Sequence, residues 1–259
     1  MENEYFKFYQ KNGWVILRNF FKKDKIEKIK RELIKKTKKK NSFFYYELIK
    51  NKEKLRRIEK ITDFSKSTKK LLCSKKTENL IEKLEKEKYI LFKDKLNFKF
   101  PGGKGYLPHI DGHFFWKDKN KKYQNGWKKY SSNFINLVLP LEASNEKNGC
   151  IYVANKNNTK KLGKTFSSIT KKLVLNTPNI KKADKKKFNF FPVELNLGDI
   201  FFFNWKCAHY SKNNYSKNSR MIFYATFCKK NNNKNLRKTY YYDKQNSYNN
   251  KENKSLLFT

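Results

Sequence analysis

No two cysteines lie close enough in sequence to make a metal knuckle or a redox motif. The four, Cys73, Cys150, Cys207 and Cys228, are widely spaced, and no CxxC occurs. This excludes the usual zinc and thioredoxin signatures and predicts free, buried thiols in a reduced, cytoplasmic setting. No apolar run approaches the roughly 18 residues a membrane helix needs, so no membrane span is expected. Met1-Glu2-Asn3-Glu4 is polar and acidic, without the apolar stretch of a secretory leader. Gly102, Gly103 and Gly105 are followed by no Gly-Lys-Ser/Thr, so they are turn residues rather than a phosphate loop. Histidine is scarce: His109, His113 and His209 are the only three. Acidic residues are few as well, 23 against 62 Lys and Arg.

Positive charge and aromatic surface are in excess. The net charge of +39 would suit a polyanion partner through counterion release. Yet the basic residues run the whole length, mostly as lysine beside abundant asparagine, which is the pattern of a compositional bias. A nucleic-acid partner is therefore not expected, although a cationic surface attracts small anions whatever its origin. Hydrophobic residues make up only 37%, but 23 Phe, 16 Tyr and 4 Trp enlarge the buriable surface. One large domain is within reach of 259 residues. The sequence sets no oligomeric state.

Residues 4–12 are amphipathic, with Tyr5, Phe6, Phe8 and Tyr9, and Gly13 ends them. Residues 14–17 read as a strand. Ile26, Ile29, Leu33 and Ile34 predict a helix over 23–38, and Leu80, Ile81 and Leu84 a second over 71–86. Residues 39–63 are lysine-rich without a clear period. From about residue 88, short apolar runs at 89–92, 96–100, 134–141, 149–153, 200–210 and 221–228 read as strands. Residues 155–187 form a polar insert expected over one face. Helices followed by many short strands predict an α+β, mainly β chain. The expected layout is a single domain over 1–259: a helical part to about 87, a β-sandwich or jelly roll over 88–228, and a polar tail over 229–259.

Two histidines and an acid stand out. His109-Ile110-Asp111 is an HxD pair, and in a strand positions i and i+2 face one side. His209 ends a later aromatic run that begins after Gly198-Asp199. Two His and one carboxylate leaving open positions make the facial triad of Fe(II) oxygenases, whereas structural zinc is closed by a fourth ligand. His113, ahead of Phe114-Phe115-Trp116, is expected at the pocket mouth. If 200–210 and 221–228 form a hairpin about Asn213–Ser216, Arg220 falls opposite His209 and shares its face. Its guanidinium would then suit a carboxylate fork, with Ser211 as a second donor.

In this order the motifs resemble the phytanoyl-CoA dioxygenase family of Fe(II)/2-oxoglutarate oxygenases, over roughly residues 5–245. Gly13 to Arg18 resembles the family's opening, Pro108 to Asp111 its proximal metal motif, and Pro140-Leu141-Glu142 through Asn148-Gly149-Cys150 its central strand pair. Lys147 there replaces a usual acid. Gly198 to Ser211, with Asn213 and Arg220, resembles the distal half. The resemblance implies a double-stranded β-helix, or cupin-like jelly roll, with flanking N-terminal helices. It implies His109, Asp111 and His209 as Fe(II) ligands, and Arg220 and Ser211 on the distal carboxylate of 2-oxoglutarate. Trp127, Asn97 and Lys93 are implied near that co-substrate. It also implies hydroxylation with O2, since halogenating relatives lack the carboxylate that Asp111 supplies.

Family members acting on aminoethylphosphonate-like compounds resemble the chain at Asn97 to Gly103 and at Tyr240 to Lys244. A small anionic or zwitterionic metabolite is therefore the expected substrate, with acyl-CoA and amino-acid-like compounds as other classes. Two alternatives compete: a basic nucleic-acid-binding module, which leaves the ordered His-Asp-His-Ser-Arg set as coincidence, and a catalytically silent jelly roll.

Overall fold

The computed structural model describes residues 2–37, 43–113, 115–158, 173–174, 177–178, 180, 182–230 and 235–247. Most of the 155–187 insert, and residues 248–259 of the tail, lie outside the described residues.

The N-terminal part alternates helix and strand: α1 Glu2–Asn12, β1 Trp14–Leu17, α2 Lys23–Lys36, β2 Phe44–Ile49, β3 Lys52–Glu59, α3 Ile61–Phe64, α4 Lys66–Leu72 and α5 Lys75–Glu85. The next stretch is nearly all strand: β4 Tyr89–Lys99, β5 Tyr106–His109, β6 Phe115–Lys117, β7 Tyr123–Asn125, β8 Phe134–Pro140 and β9 Ile151–Ala154. The chain closes with β10 Leu173–Val174, β11 Thr177–Pro178, α6 Lys182–Lys185, β12 Phe190–Val193, β13 Ile200–Asn204, β14 His209–Ser211, β15 Arg220–Lys229 and α7 Leu236–Asn246. Among the described residues no helix is long and apolar enough to cross a membrane.

A seven-stranded sheet, ordered β1-β13-β8-β15-β4-β3-β2, faces a four-stranded sheet ordered β12-β9-β14-β5. This is the expected jelly roll. Alternation along the strands of the large sheet divides its side chains between two faces. Leu96, Leu137, Leu139, Phe202 and Phe223 point outward and pack with Ile26, Ile29 and Leu33 of α2, and with Ile81 and Leu84 of α5. Val138, Phe201, Phe203 and Ile222 point inward and interlock with Ile151, Val153 and Val193 of the small sheet. The helices thus shield one face, and the site occupies the space between sheets.

Several sequence expectations are corrected. The 71–86 helix is two helices, because Ser74 caps α5 by accepting from the Thr77 N–H and so interrupts the run. Residues 44–59, which have no clear period, form a hairpin that extends the large sheet. The runs 89–92 and 96–100 are one continuous strand, β4. The polar tail contains α7, started by the Asn235 side chain accepting from Lys238 N and anchored by buried Leu236 and Tyr241.

The main correction concerns 200–210. It is not one strand but β13 and β14, which lie in different sheets. Asn204 makes the break: its Oδ1 accepts from Lys206 N at 3.1 Å, and its carbonyl accepts from Cys207 N at 2.9 Å. This turn carries the chain across the sandwich, so Arg220 does not pair with His209. Its cross-strand partner is Lys99 of β4.

Candidate metal centre and its basic wall

β14 pairs with β5 in the register His209↔His109, so the two imidazoles sit directly opposite one another, ring centroids 4.2 Å apart. Asp111 lies in the turn after β5 rather than on the strand, because Gly112 takes φ +72° and turns the chain. The turn still brings its carboxylate home. The ligand atoms of His109, Asp111 and His209 all lie within 4.8 Å of one another, and His209 Nε2 is 3.9 Å from Asp111 Oδ2.

Each imidazole is oriented by the chain two residues upstream. His109 Nδ1 contacts Leu107 O at 2.6 Å, and His209 Nδ1 contacts Cys207 O at 3.1 Å. As Nδ1–H donors to those carbonyls, both rings present a bare Nε2, the tautomer a metal takes. Burial lowers the His109 pKa to about 3, the neighbouring His209 acts in the same direction, and burial likewise lowers His209. Burial alone would raise Asp111, but His209, Lys93 and His109 outweigh it and hold the carboxyl near 2. Two neutral imidazoles and one carboxylate are the donor set of a non-haem Fe(II) site, and the residues fit such an ion.

A second layer, missed in the sequence, fixes the carboxylate. Asn136 Nδ2 donates to Asp111 Oδ2 at 2.9 Å, and Thr226 Oγ1 donates to Asn136 Oδ1 at 2.7 Å. Asn136 and Thr226 are cross-strand partners on β8 and β15. The signal was available only as two polar residues at inward positions of otherwise apolar strands. His113 stands apart from the triad: its ring stacks on Trp205, centroids 4.8 Å apart, and its Nδ1 meets Asp111 O at 3.1 Å.

Ser211 and Arg220 come together through Lys99. Ser211 Oγ accepts from Lys99 Nζ at 2.9 Å and from Tyr106 N at 3.1 Å, so its hydroxyl proton is uncommitted among the described residues. Lys99 also donates to Lys212 O at 2.6 Å and Gly149 O at 3.1 Å, and Arg220 Nη1 donates to that same Gly149 carbonyl. Arg220 Nε is buried and without a partner among the described residues. Arg220 and Lys99 are thus adjacent buried cations. Burial pushes both pKa values down; Arg220 adds to the fall of Lys99, and Arg56 to that of both. An orphaned guanidinium N–H beside a free hydroxyl proton fits a carboxylate. Glycine permits this crowding: a Cβ on Gly105 would stand 2.0 Å from Ser211 O.

The remaining inward face of β4 is polar. Lys93, Lys95, Asn97 and Lys99 alternate along it, opposite Thr226, Tyr224, Ile222 and Arg220 of β15. On the other side Glu59 pairs with Lys95 and Arg57 with Asn97. Asn97 is 2% exposed, and its Oδ1 lacks a partner among the described residues. Trp127 is buried against Phe92 and Phe134, with the Lys93 ammonium 3.7 Å from its ring centroid. α7 closes this end. Lys244 pairs with Glu59, which also meets Arg57 Nε at 3.2 Å, and Asp243 accepts from Lys129 at 2.7 Å and Tyr130 at 2.9 Å. Burial would raise the Glu59 pKa, but Lys244 and Arg57 hold it near 2.

Residues 9–222 match the family described as Phytanoyl-CoA dioxygenase (PhyH). A 2-aminoethylphosphonate dioxygenase from an uncultured bacterium is 31% identical over 173 residues, covering 66% of this chain and 58% of the relative. A methylphosphonate hydroxylase from Gimesia maris is 26% identical over 172 residues, covering 66% of this chain and 57% of the relative. The chain therefore spans under two thirds of the length of these relatives. In fold it resembles the epimerase SnoN, solved with Fe3+ and alpha ketoglutarate, with a TM-score of 0.66, 13% identity, and coverage of 88% of this chain and 83% of SnoN.

Proposed function

The chain belongs to the phytanoyl-CoA dioxygenase family, and on that premise we propose that it is an Fe(II)- and 2-oxoglutarate-dependent hydroxylase of a small anionic or zwitterionic metabolite, an aminoethylphosphonate-like compound being favoured. The observation that carries this reading is the meeting of His109, Asp111 and His209 with both Nε2 atoms bare. Iron, 2-oxoglutarate and O2 together would supply the oxidising power, one oxygen atom passing to a substrate C–H and the other to succinate as CO2 leaves.

The chain's own residues bind and orient. His109, Asp111 and His209 would hold the ion, with Asn136 and Thr226 keeping the Asp111 carboxylate in place. The Arg220 Nε–H and the Ser211 hydroxyl would take the distal carboxylate of 2-oxoglutarate, while Lys99 fixes the Ser211 oxygen. Asn97 and Trp127 are proposed neighbours of the co-substrate. Trp127, Phe134 and Trp205, packed ring against ring, would keep bulk water from the reacting carbon. The substrate class is supported by the basic inner face of β4 and by the phosphonate substrates of the two bacterial relatives.

The test is an anaerobic titration with Fe(II) and 2-oxoglutarate, followed by the visible absorption of the chelate. The expected result is a weak band in the wild-type protein that is absent in Asp111→Ala. A folded wild-type protein that gives no band and binds no 2-oxoglutarate would refute the reading.

A further inference from the structure

We propose that Lys93 and Lys95 seat the anionic head of the substrate, a tetrahedral phosphonate-type oxyanion on a short carbon chain, and that neither serves the co-substrate. The proposal rests on the oxygenase reading and deepens it.

Both lysines project from one face of β4, at positions two residues apart and so roughly 7 Å from each other. Both are enclosed by protein yet partly accessible to water, as residues lining an interior space are. Among the described residues neither ammonium has a hydrogen-bond or ion-pair partner. Aromatic rings hold them instead: Lys93 lies 3.7 Å from the Trp127 centroid and 5.9 Å from that of Tyr240, and Lys95 lies 5.1 Å from that of Tyr224. A ring face fixes the position of an ammonium without cancelling its charge or consuming its N–H donors. Burial pushes both lysine pKa values down, that of Lys93 well down, so a bound anion is what would hold the two fixed ammonium groups charged.

The acids nearby do not compensate them. Glu59, the cross-strand partner of Lys95, is engaged by Lys244 and by Arg57. Asp111 belongs to the triad and is already held by Asn136. This wall therefore carries Lys93, Lys95, Arg57 and Lys244 against two carboxylates, both in use. Two ammonium groups without an acid of their own match a doubly charged head group better than a single carboxylate.

Distance keeps the distal end of the co-substrate away. Its distal carboxylate is matched at Arg220, opposite Lys99, whereas Lys93 is six residues back along the same strand, about 20 Å at the usual rise. A distal carboxylate held at Arg220 therefore does not reach Lys93. A second anion can, and Lys93 and Lys95 both sense the Asp111 charge, so its carbon chain would lie toward the metal.

The test uses the full chain, loaded anaerobically with Fe(II) and 2-oxoglutarate, and calorimetric titration with 2-aminoethylphosphonate, methylphosphonate and β-alanine. Lys95→Met and Lys93→Met are each expected to weaken phosphonate binding at least about tenfold and to leave 2-oxoglutarate affinity within about twofold. Lys95→Arg should retain binding, and β-alanine should bind at least about tenfold more weakly than the phosphonate of equal chain length. The proposal is overturned if wild-type protein shows the chelate band but binds no phosphonate. It is equally overturned if Lys95→Met binds phosphonate normally, if the substitutions weaken 2-oxoglutarate instead, or if β-alanine binds as well. Loss of the chelate band in wild-type protein would identify a failure of the oxygenase reading itself. Should Lys93→Met fail to fold, Lys95→Met decides alone.

Discussion

Along β13 and β8 the apolar inward side chains Phe201, Phe203 and Val138 interlock with Ile151, Val153 and Val193 of the opposite sheet. Along β4 and β3 the same inward positions hold Lys93, Lys95, Asn97, Arg57 and Glu59. One sandwich thus has a filled half and a charged half. The first excludes water and supplies cohesion through aromatic burial. The second keeps its polar groups beside a space and supplies recognition. The triad stands on the border, with the His209 ring against Phe203, centroids 4.8 Å apart. A metal site there takes its rigidity from one half and its ligands' access from the other.

Substitutions should separate the two halves. Phe203→Ala should have the largest effect on folding, about 3–5 kcal/mol by urea denaturation, and should loosen Fe(II) binding because His209 loses its packing. Arg220→Ala, in the charged half, should weaken 2-oxoglutarate binding by about 2–3 kcal/mol, read as a raised KM with little change in kcat. Asn136→Ala should cost roughly 10–100-fold in Fe(II) affinity by chelator competition, since Asp111 loses its only side-chain donor among the described residues. Lys95→Met should change the urea midpoint least, by under about 1 kcal/mol in either direction, because it removes an enclosed ammonium that has no ion-paired acid among the described residues. If Lys95→Met proved as destabilising as Phe203→Ala, the division between a cohesive and a recognising half would fail.

Legibility in the sequence followed rarity. Three histidines in the chain made His109 and His209 conspicuous, and the structure brings them together with Asp111, while Ser211 and Arg220 share a neighbourhood about Lys99. The route to that neighbourhood was not legible. A hairpin register placed Arg220 opposite His209, whereas the Asn204 turn sends β14 to the other sheet and Arg220 arrives by way of Lys99. Run length alone does not reveal a sheet change when residues on both sides are aromatic. The basic wall was hidden for the opposite reason. Lysine is so common in this chain that only Lys93 stood out, through the family resemblance, while Lys95 and Lys99 looked like background until strand alternation put all three on one face. α7 escaped because its apolar residues, Leu236, Tyr240 and Tyr241, are sparse among polar ones.

The pairing of His109 with His209 has a kinetic consequence. β5 is an edge strand, joined to β14 at His209↔His109 and Ser211↔Tyr106 with an irregularity between them. Edge strands with few rungs open at a small fraction of the global unfolding free energy. An ion shared by the two histidines would bridge that rung, and peeling of β5 from its neighbour would open one route for its escape. Fraying of one short strand would then add to the rate at which the ion leaves, and amide exchange over 106–110 would slow on loading while the filled half stayed unchanged.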